Sequence, residues 1–371
     1  MRRMWIGAAL IAAVTLATTA TSGAQTSATM GAVYTATNNA ARNDVLMFDR
    51  AADGALTFVN AFSTGGTGTG NGLGNQGGVA MTADGKFLLV VNAGSHDISV
   101  LETTGSGLTL RDRKPSGGLR PVSVTVNGRL VYVLNAGGAN GGVDAVVGFR
   151  LSREGLLTMI AGSARGLSAA STAPAQVELS PDGASLVVTE KATNRVDVFA
   201  VGDDGLPGAS RSYVSSGTTP FGFAFGKHDQ FFVSEAFGGA ANASALSSYQ
   251  VTGSATLAVI SPSVPTTQTA ACWVAVSGDG RFAYTTNAGS GTVTGFSIHS
   301  DGAIELLDAN GVTGTTGAGV TDVTLTGNGR YLYALRSGAG AIAAFRVEDH
   351  GALTALGSFP LPPGANGIVA R

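Results

Sequence analysis

Residues 180–205 read SPDGASLVVTEKATNRVDVFAVGDDG, and this stretch decides the fold. Asp182-Gly183 is a tight turn, because glycine supplies the positive φ that a short hairpin needs. Leu186 to Glu190 (LVVTE) follows as a β-branched run that ends on a polar residue. After a short polar link comes a second run, in which apolar and polar residues alternate about Phe199. Asp204-Gly205 then turns the chain again. Alternation at period two with β-branched and aromatic types marks strands, and no helical period is present.

The same grammar recurs outward in both directions. Strands of the first kind are Val33 to Asn38, Leu88 to Asn92, Val131 to Asn135, Leu186 to Glu190, Phe231 to Glu235, Ala283 to Asn287 and Leu332 to Arg336. Their last residues lie 43 to 55 positions apart, the length of one four-stranded propeller blade. The following strand carries Phe48, Leu101, Phe149, Phe199, Tyr249, Phe296 or Phe345 near its middle. A turn then follows at Asp53-Gly54, Ser106-Gly107, Glu154-Gly155, Asp204-Gly205, Thr252-Gly253, Asp301-Gly302 and His350-Gly351. The repeat predicts an all-β, seven-bladed propeller of four-stranded blades. The first repeat lacks its innermost strand, and Ala365 to Val369 matches it. The C-terminal strand is therefore expected to complete the first blade and close the ring, which removes open sheet edges.

Composition narrows the function. Only 12% of the 371 residues are charged, against about 25% in an average soluble protein, and the net charge is −2. No basic cluster offers a footprint for nucleic acid. Arg2 and Arg3, the apolar run Met4 to Ala20 and Ser22-Gly23-Ala24 read as a secretory signal cleaved near Ala24. The expected organisation is a signal over 1–24, a linker over 25–31 and one propeller domain over 32–371. A secreted or periplasmic monomer follows, with no membrane span after cleavage. The single cysteine, Cys272, leaves stability to the core and to ring closure.

Units such as Ser180-Pro181-Asp182-Gly183 and Asn287-Ala288-Gly289 resemble the lactonase-family propellers, the 6-phosphogluconolactonase-like and carboxymuconate cyclase-like proteins. Val188-Thr189-Glu190-Lys191, Ser234 to Gly239 (SEAFGG) and Thr269 to Trp273 (TAACW) point to an exported bacterial branch. The resemblance implies a lactone hydrolase or lactonising enzyme working at the mouth of the central channel. It also implies histidine and arginine at that mouth. Aligning the innermost strands puts Gly78, Ser123, Gln176, Gly222, Trp273, Asp322 and Gly367 there, with no histidine. Gln176 stands where the family's histidine is expected.

Glu190 and Glu235 end equivalent strands of adjacent blades. With Asp322 they are the candidate catalytic carboxyls, since a close pair can divide acid and base roles. No cofactor is fixed by the sequence, although such carboxyls could hold a divalent cation at the mouth. Lys191 beside Glu190 offers the alternative of a structural ion pair. Gln176, Lys191, Trp273, Arg336, Asn92, Asn135 and Asn287 are the candidate contacts to a small-molecule or glycan ligand. The run Gly65 to Gly78 reads as a loop over the mouth, with lid character. The competing function is a non-catalytic propeller that binds a small molecule, glycan or protein partner.

Overall fold

The computed structural model describes residues 29–105, 107–252 and 255–371. The expected signal at 1–24, and Ser106 and Gly253 of two expected turns, lie outside the described residues. Among the described residues the chain forms seven antiparallel sheets arranged as blades. The innermost strands are Asn366–Ala370 for blade 1, then Val79–Met81, Pro121–Asn127, Pro174–Leu179, Pro220–Phe225, Ala271–Val276 and Asp322–Leu325 for blades 2 to 7. The first described strand, Thr29–Ala36, starts ahead of residue 32.

Ring closure is as the repeat predicts, one residue later than expected. Asn366–Ala370 pairs antiparallel with Thr29–Ala36, matching Tyr34 with Val369 and Thr35 with Ile368. Arg371 extends the ladder by exchanging backbone bonds with Ala32. The sheet order of blade 1 therefore runs from the last strand of the chain to its first three.

The seven mid-strand residues are all core. Phe48, Leu101, Phe149, Phe199, Tyr249, Phe296 and Phe345 are at most 2% exposed. Tyrosines on the preceding strand tie blade to blade. The hydroxyls of Tyr132, Tyr284 and Tyr333 donate to the carbonyls of Gly205, Gly351 and Gly54, each in the outer turn of the next blade. These turn glycines serve twice. Gly54 has φ +89°, and a Cβ there would lie 2.5 Å from the Tyr331 ring of blade 7. Gly351 has φ +82°, and its Cβ would lie 2.7 Å from Phe282 of blade 6. Turn geometry and interblade packing thus select glycine together, which is why the marker is regular in the sequence.

Candidate functional site

Two cavities lie on the propeller axis, one on each side of a plug. The plug is the end of the Gly-rich run, Gly74 to Gly77, between blades 1 and 2. Asn75 donates from Nδ2 to the Val122 carbonyl of blade 3 and pairs with Asn366 of blade 1, whose Nδ2 donates to Asn75 Oδ1 at 2.8 Å. Gln76 crosses to blade 6, where Nε2 donates to the Val274 carbonyl at 2.7 Å and Oε1 accepts from Val274 N at 3.0 Å. Its backbone N–H donates to Ala175 O of blade 4 at 3.1 Å. Trp273 Nε1 donates to Asn75 O at 2.7 Å, and Lys191 Nζ donates to Gly74 O. The loop expected as a lid is therefore bonded to blades 1, 3, 4 and 6.

Glycine at 222 makes room for the plug. A Cβ there would overlap Gln76 Oε1 and approach the Cys272 carbonyl to 2.6 Å. Gly222→Ala should displace the Gln76 amide and cost about 2–3 kcal/mol, from overpacking and lost bonds to Val274. Thermal melting with tryptophan emission checks this, since Trp273 and Trp5 are the two tryptophans. An unchanged melt and spectrum would mean the amide does not need that space.

Outside the plug is the mouth pocket, with a volume of about 560 Å³. Leu73, Phe221 and Trp273 form its apolar wall, and Thr321, Ser337 and Asn366 its polar side. Phe221 and Trp273 meet edge to face, 5.2 Å between centroids. Among the described residues no ionisable side chain lines this pocket. Lys191 stands behind the wall. Its ammonium lies 4.9 Å from the centre of the Phe221 ring, and it donates to Pro174 O at 3.1 Å. Two carbonyls occupy two of its three N–H groups. Burial lowers its pKa to about 8.

On the other side of the plug is a channel cavity of about 420 Å³, lined by the innermost strands of all seven blades. Two carboxyls face it. Asp322 is 2% exposed and accepts from Val323 N at 2.8 Å. Glu178 accepts from Gln176 Nε2 at 3.1 Å. Burial pushes both groups up to about 8. Gln176, placed where the family's histidine is expected, is spent on a neighbour, because its amide both accepts from Phe223 N and donates to Phe223 O. Strand pairing confirms the alignment of these positions. Ser123, Gln176, Trp273 and Asp322 each lie opposite the residue just before the end of the second strand, and a bulge precedes the first three.

The ends of the second strands behave differently from the expectation. Glu190, Glu235, Asn92, Asn135, Asn287 and Arg336 line neither axial cavity. Glu190 is buried and accepts from Ser168 N at 2.9 Å, Ser168 Oγ and Thr193 Oγ1. Glu235 is buried and accepts from Ser215 Oγ, Gly217 N, Ser247 Oγ and Ser263 Oγ. The two share no partner. Asn92 accepts from Asn43 Nδ2 and Thr64 Oγ1, and Asn135 donates to Ser116 O. Asn287 donates to Thr292 and Thr294 hydroxyls, and Arg336 Nε to Ala318 O. All six thus pin loops between strands and blades. The expected Lys191–Glu190 ion pair is not formed; Lys191 bonds carbonyls instead.

Among the described residues no group of three or more His, Cys, Asp or Glu is placed to hold a metal ion. None of their helices is long and apolar enough to cross a membrane. Cys272 is 7% exposed, and burial holds its thiol up at about 12, far from a nucleophile's range. His96 is exposed on a mouth-side loop, and its Nδ1 accepts from Arg120 N at 3.0 Å. Glu178 went unread in the sequence. It lies two residues beyond Gln176, so period two alone places it on the channel face.

The comparisons with known proteins fit this geometry. Residues 32–164 match the sequence model of the family described as "Lactonase, 7-bladed beta-propeller". In fold, the chain is similar to the periplasmic gluconolactonase PpgL of Pseudomonas aeruginosa, with a TM-score of 0.72 and 15% identity over 92% of this chain and 98% of that one. It is also similar to a protein solved as a candidate 6-phosphogluconolactonase from Bacteroides fragilis, with a TM-score of 0.70 and 17% identity over 94% and 100%. A Bacteroides uniformis counterpart gives 0.71 and 18%, over 92% and 99%. No curated protein matches the chain. Likeness to the lactonase-like seven-bladed propellers is thus seen in sequence over the first three blades, and around the whole ring these solved structures share the propeller fold.

Proposed function

We propose that this protein is an exported lactonase-like propeller that takes a small uncharged ring ester, of the sugar-lactone class, in its mouth pocket. The observation that carries the reading is the pocket itself: about 560 Å³, walled by Trp273, Phe221 and Leu73, and floored by a plug that ends the channel. That volume suits a monosaccharide-sized ligand. An aromatic wall accepts the apolar face of a sugar ring, while Thr321 and Asn366 offer polar contacts. Lys191 has one N–H uncommitted and lies against that wall, over the Phe221 ring. Directed at the ring carbonyl, it would stabilise the oxygen that becomes anionic when water adds. The basic, apolar and small-residue leader supports placement outside the cytoplasm.

A second reading, ligand binding without turnover, is favoured by the absence, among the described residues, of any ionisable side chain from the pocket lining. A panel of γ- and δ-lactones, followed by calorimetric binding and pH-stat hydrolysis, separates the two. Trp273→Ala should weaken binding under either reading. Under the hydrolytic one, Lys191→Met should lower kcat about 10²-fold, the cost of losing one oxyanion donor. The wild-type rate should also fall as pH rises through about 8, where the ammonium loses its proton. Binding that survives with no ester cleavage across the panel would leave the second reading. No binding at all would end both.

A further inference from the structure

The repeat offers an internal comparison that singles out blade 4. In three other blades the residue ending the second strand meets a hydroxyl on the third. Asn92 Nδ2 donates to Ser99 Oγ at 2.8 Å in blade 2. Ser247 Oγ donates to Glu235 Oε1 at 2.6 Å in blade 5, and Asn287 Nδ2 to Thr294 Oγ1 at 2.9 Å in blade 6. Register fixes the hydroxyl position, which pairs across the strands with the residue two before the end: Val90 with Ser99, Val233 with Ser247, Thr285 with Thr294. In blade 4 the same register pairs Val188 with Asp197, and the end residue is Glu190.

Blade 4 thus sets two carboxyls against each other where its siblings place a hydroxyl against an amide or a carboxyl. Both Glu190 and Asp197 are 0% exposed. Glu190 has its three donors. Among the described residues, neither oxygen of Asp197 has a hydrogen-bond partner, and nor does the buried hydroxyl oxygen of Ser210. The hydroxyls of Ser210 and Ser212, from the chain that covers it, and the Glu190 carboxyl adjoin Asp197, although none meets it in good hydrogen-bond geometry. Among the described residues no side-chain cation forms an ion pair with either carboxyl. Arg195, on the same strand, turns its guanidinium to Ser212 Oγ, and Arg211, on the covering strand, points its own to Thr256 Oγ1. Two buried carboxyls surrounded by hydroxyls, with no positive charge to balance them, are costly, so the arrangement calls for a positive guest.

We propose that Asp197, Glu190, Ser210 and Ser212 form an all-oxygen site in the interior of blade 4 that binds a hard divalent cation of the calcium type. Oxygen-only donors select calcium over zinc, and calcium tolerates an irregular shell completed by water, whereas magnesium demands a near-ideal octahedron. Two ionised carboxyls match the charge of the ion, and exposed Ser212 gives water and the ion a way in. Glu190 also holds Ser168, so the ion would fasten the loop leading into the innermost strand of the same blade. This site is separate from the mouth pocket and stands or falls without it.

The test uses the full chain stripped with chelator and then titrated with calcium chloride, read by calorimetric melting and by heats of binding. Calcium at a hundredfold excess over its Kd should raise Tm by about 3–5 °C. Asp197→Ser puts in blade 4 the hydroxyl that blades 2 and 5 already carry, so it should fold and should lose the calcium shift. A wild type indifferent to calcium, or an Asp197→Ser variant that keeps the shift, overturns the site. A shared proton only is the remaining outcome, and it too overturns the site. Burial, and then the neighbouring Glu190, push the Asp197 carboxyl from 3.8 up to about 6. A carboxyl raised in the native state costs stability as pH climbs between those two values, and the loss persists above them. With a shared proton alone, wild type would weaken relative to Asp197→Ser over that interval and ignore calcium. A calcium site would instead strengthen over the same interval.

Discussion

A chain ending at Gly364 should fail to close its ring. The lost strand carries four register pairs with Thr29–Ala36, and the Arg371 backbone adds an exchange with Ala32. Arg50 loses the Arg371 carbonyl that both its Nε and Nη2 reach. Ile368, 4% exposed, leaves the core, and Val33 and Tyr34 lose the cover on one side. Burial of the isoleucine is worth about 1.5–3 kcal/mol and each backbone bond about 1 kcal/mol net. The total is roughly 5–10 kcal/mol, the size of the whole stability of an ordinary domain. Asn75 also loses Asn366, so the plug loosens together with the seam. Limited proteolysis and circular dichroism should show a chain cut readily and melting without a sharp transition. A truncated chain that melts within about 2 °C of the full one would refute closure as the source of stability.

Glu235→Ala should be the most damaging single substitution among the residues expected to act at the mouth. It leaves one backbone N–H and three hydroxyls around an empty space, at Gly217, Ser215, Ser247 and Ser263. Each stranded buried donor costs about 1–3 kcal/mol before rearrangement, so a loss of about 3–5 kcal/mol is expected. Glu235→Gln keeps one acceptor oxygen but turns an amide N–H₂ toward donors, and should fall between. Denaturant melts of the three proteins measure the difference. If Glu235→Ala changed lactone turnover while leaving the melt unmoved, the residue would be working on substrate rather than on its loop.

The architecture was legible because each marker answers a packing demand that repeats. Gly54 and Gly351 are compelled by φ and by an aromatic ring of the preceding blade, and Phe199 and its equivalents by burial. Repetition made such demands visible from composition and spacing alone. The site was less legible because its residues are singular. Strand-end residues were expected to reach the mouth, yet a strand end can turn along the axis or sideways into its loop, and spacing does not distinguish these. Glu190 and Glu235 turn sideways. Register set Gln176 and Asp322 on the axis, but they face the channel behind the plug rather than the mouth where they were expected, and Glu178 on the same face was passed over. The Gly-rich run showed no period, so its partners could not be inferred. Asn75 and Gln76 are informative only once the blades that receive them are in place.

That dependence bears on how the molecule assembles. Asn75 and Gln76 leave the ribosome early, but their partners Val274 and Asn366 follow 198 and 291 residues later. The segment must wait, exposed, until almost the whole chain has been made and the sixth blade and the closing seam have formed. Contacts of such long sequence separation are slow to gain. Seating of the plug is therefore a late event in folding, and a seated plug certifies that every blade behind it has arrived.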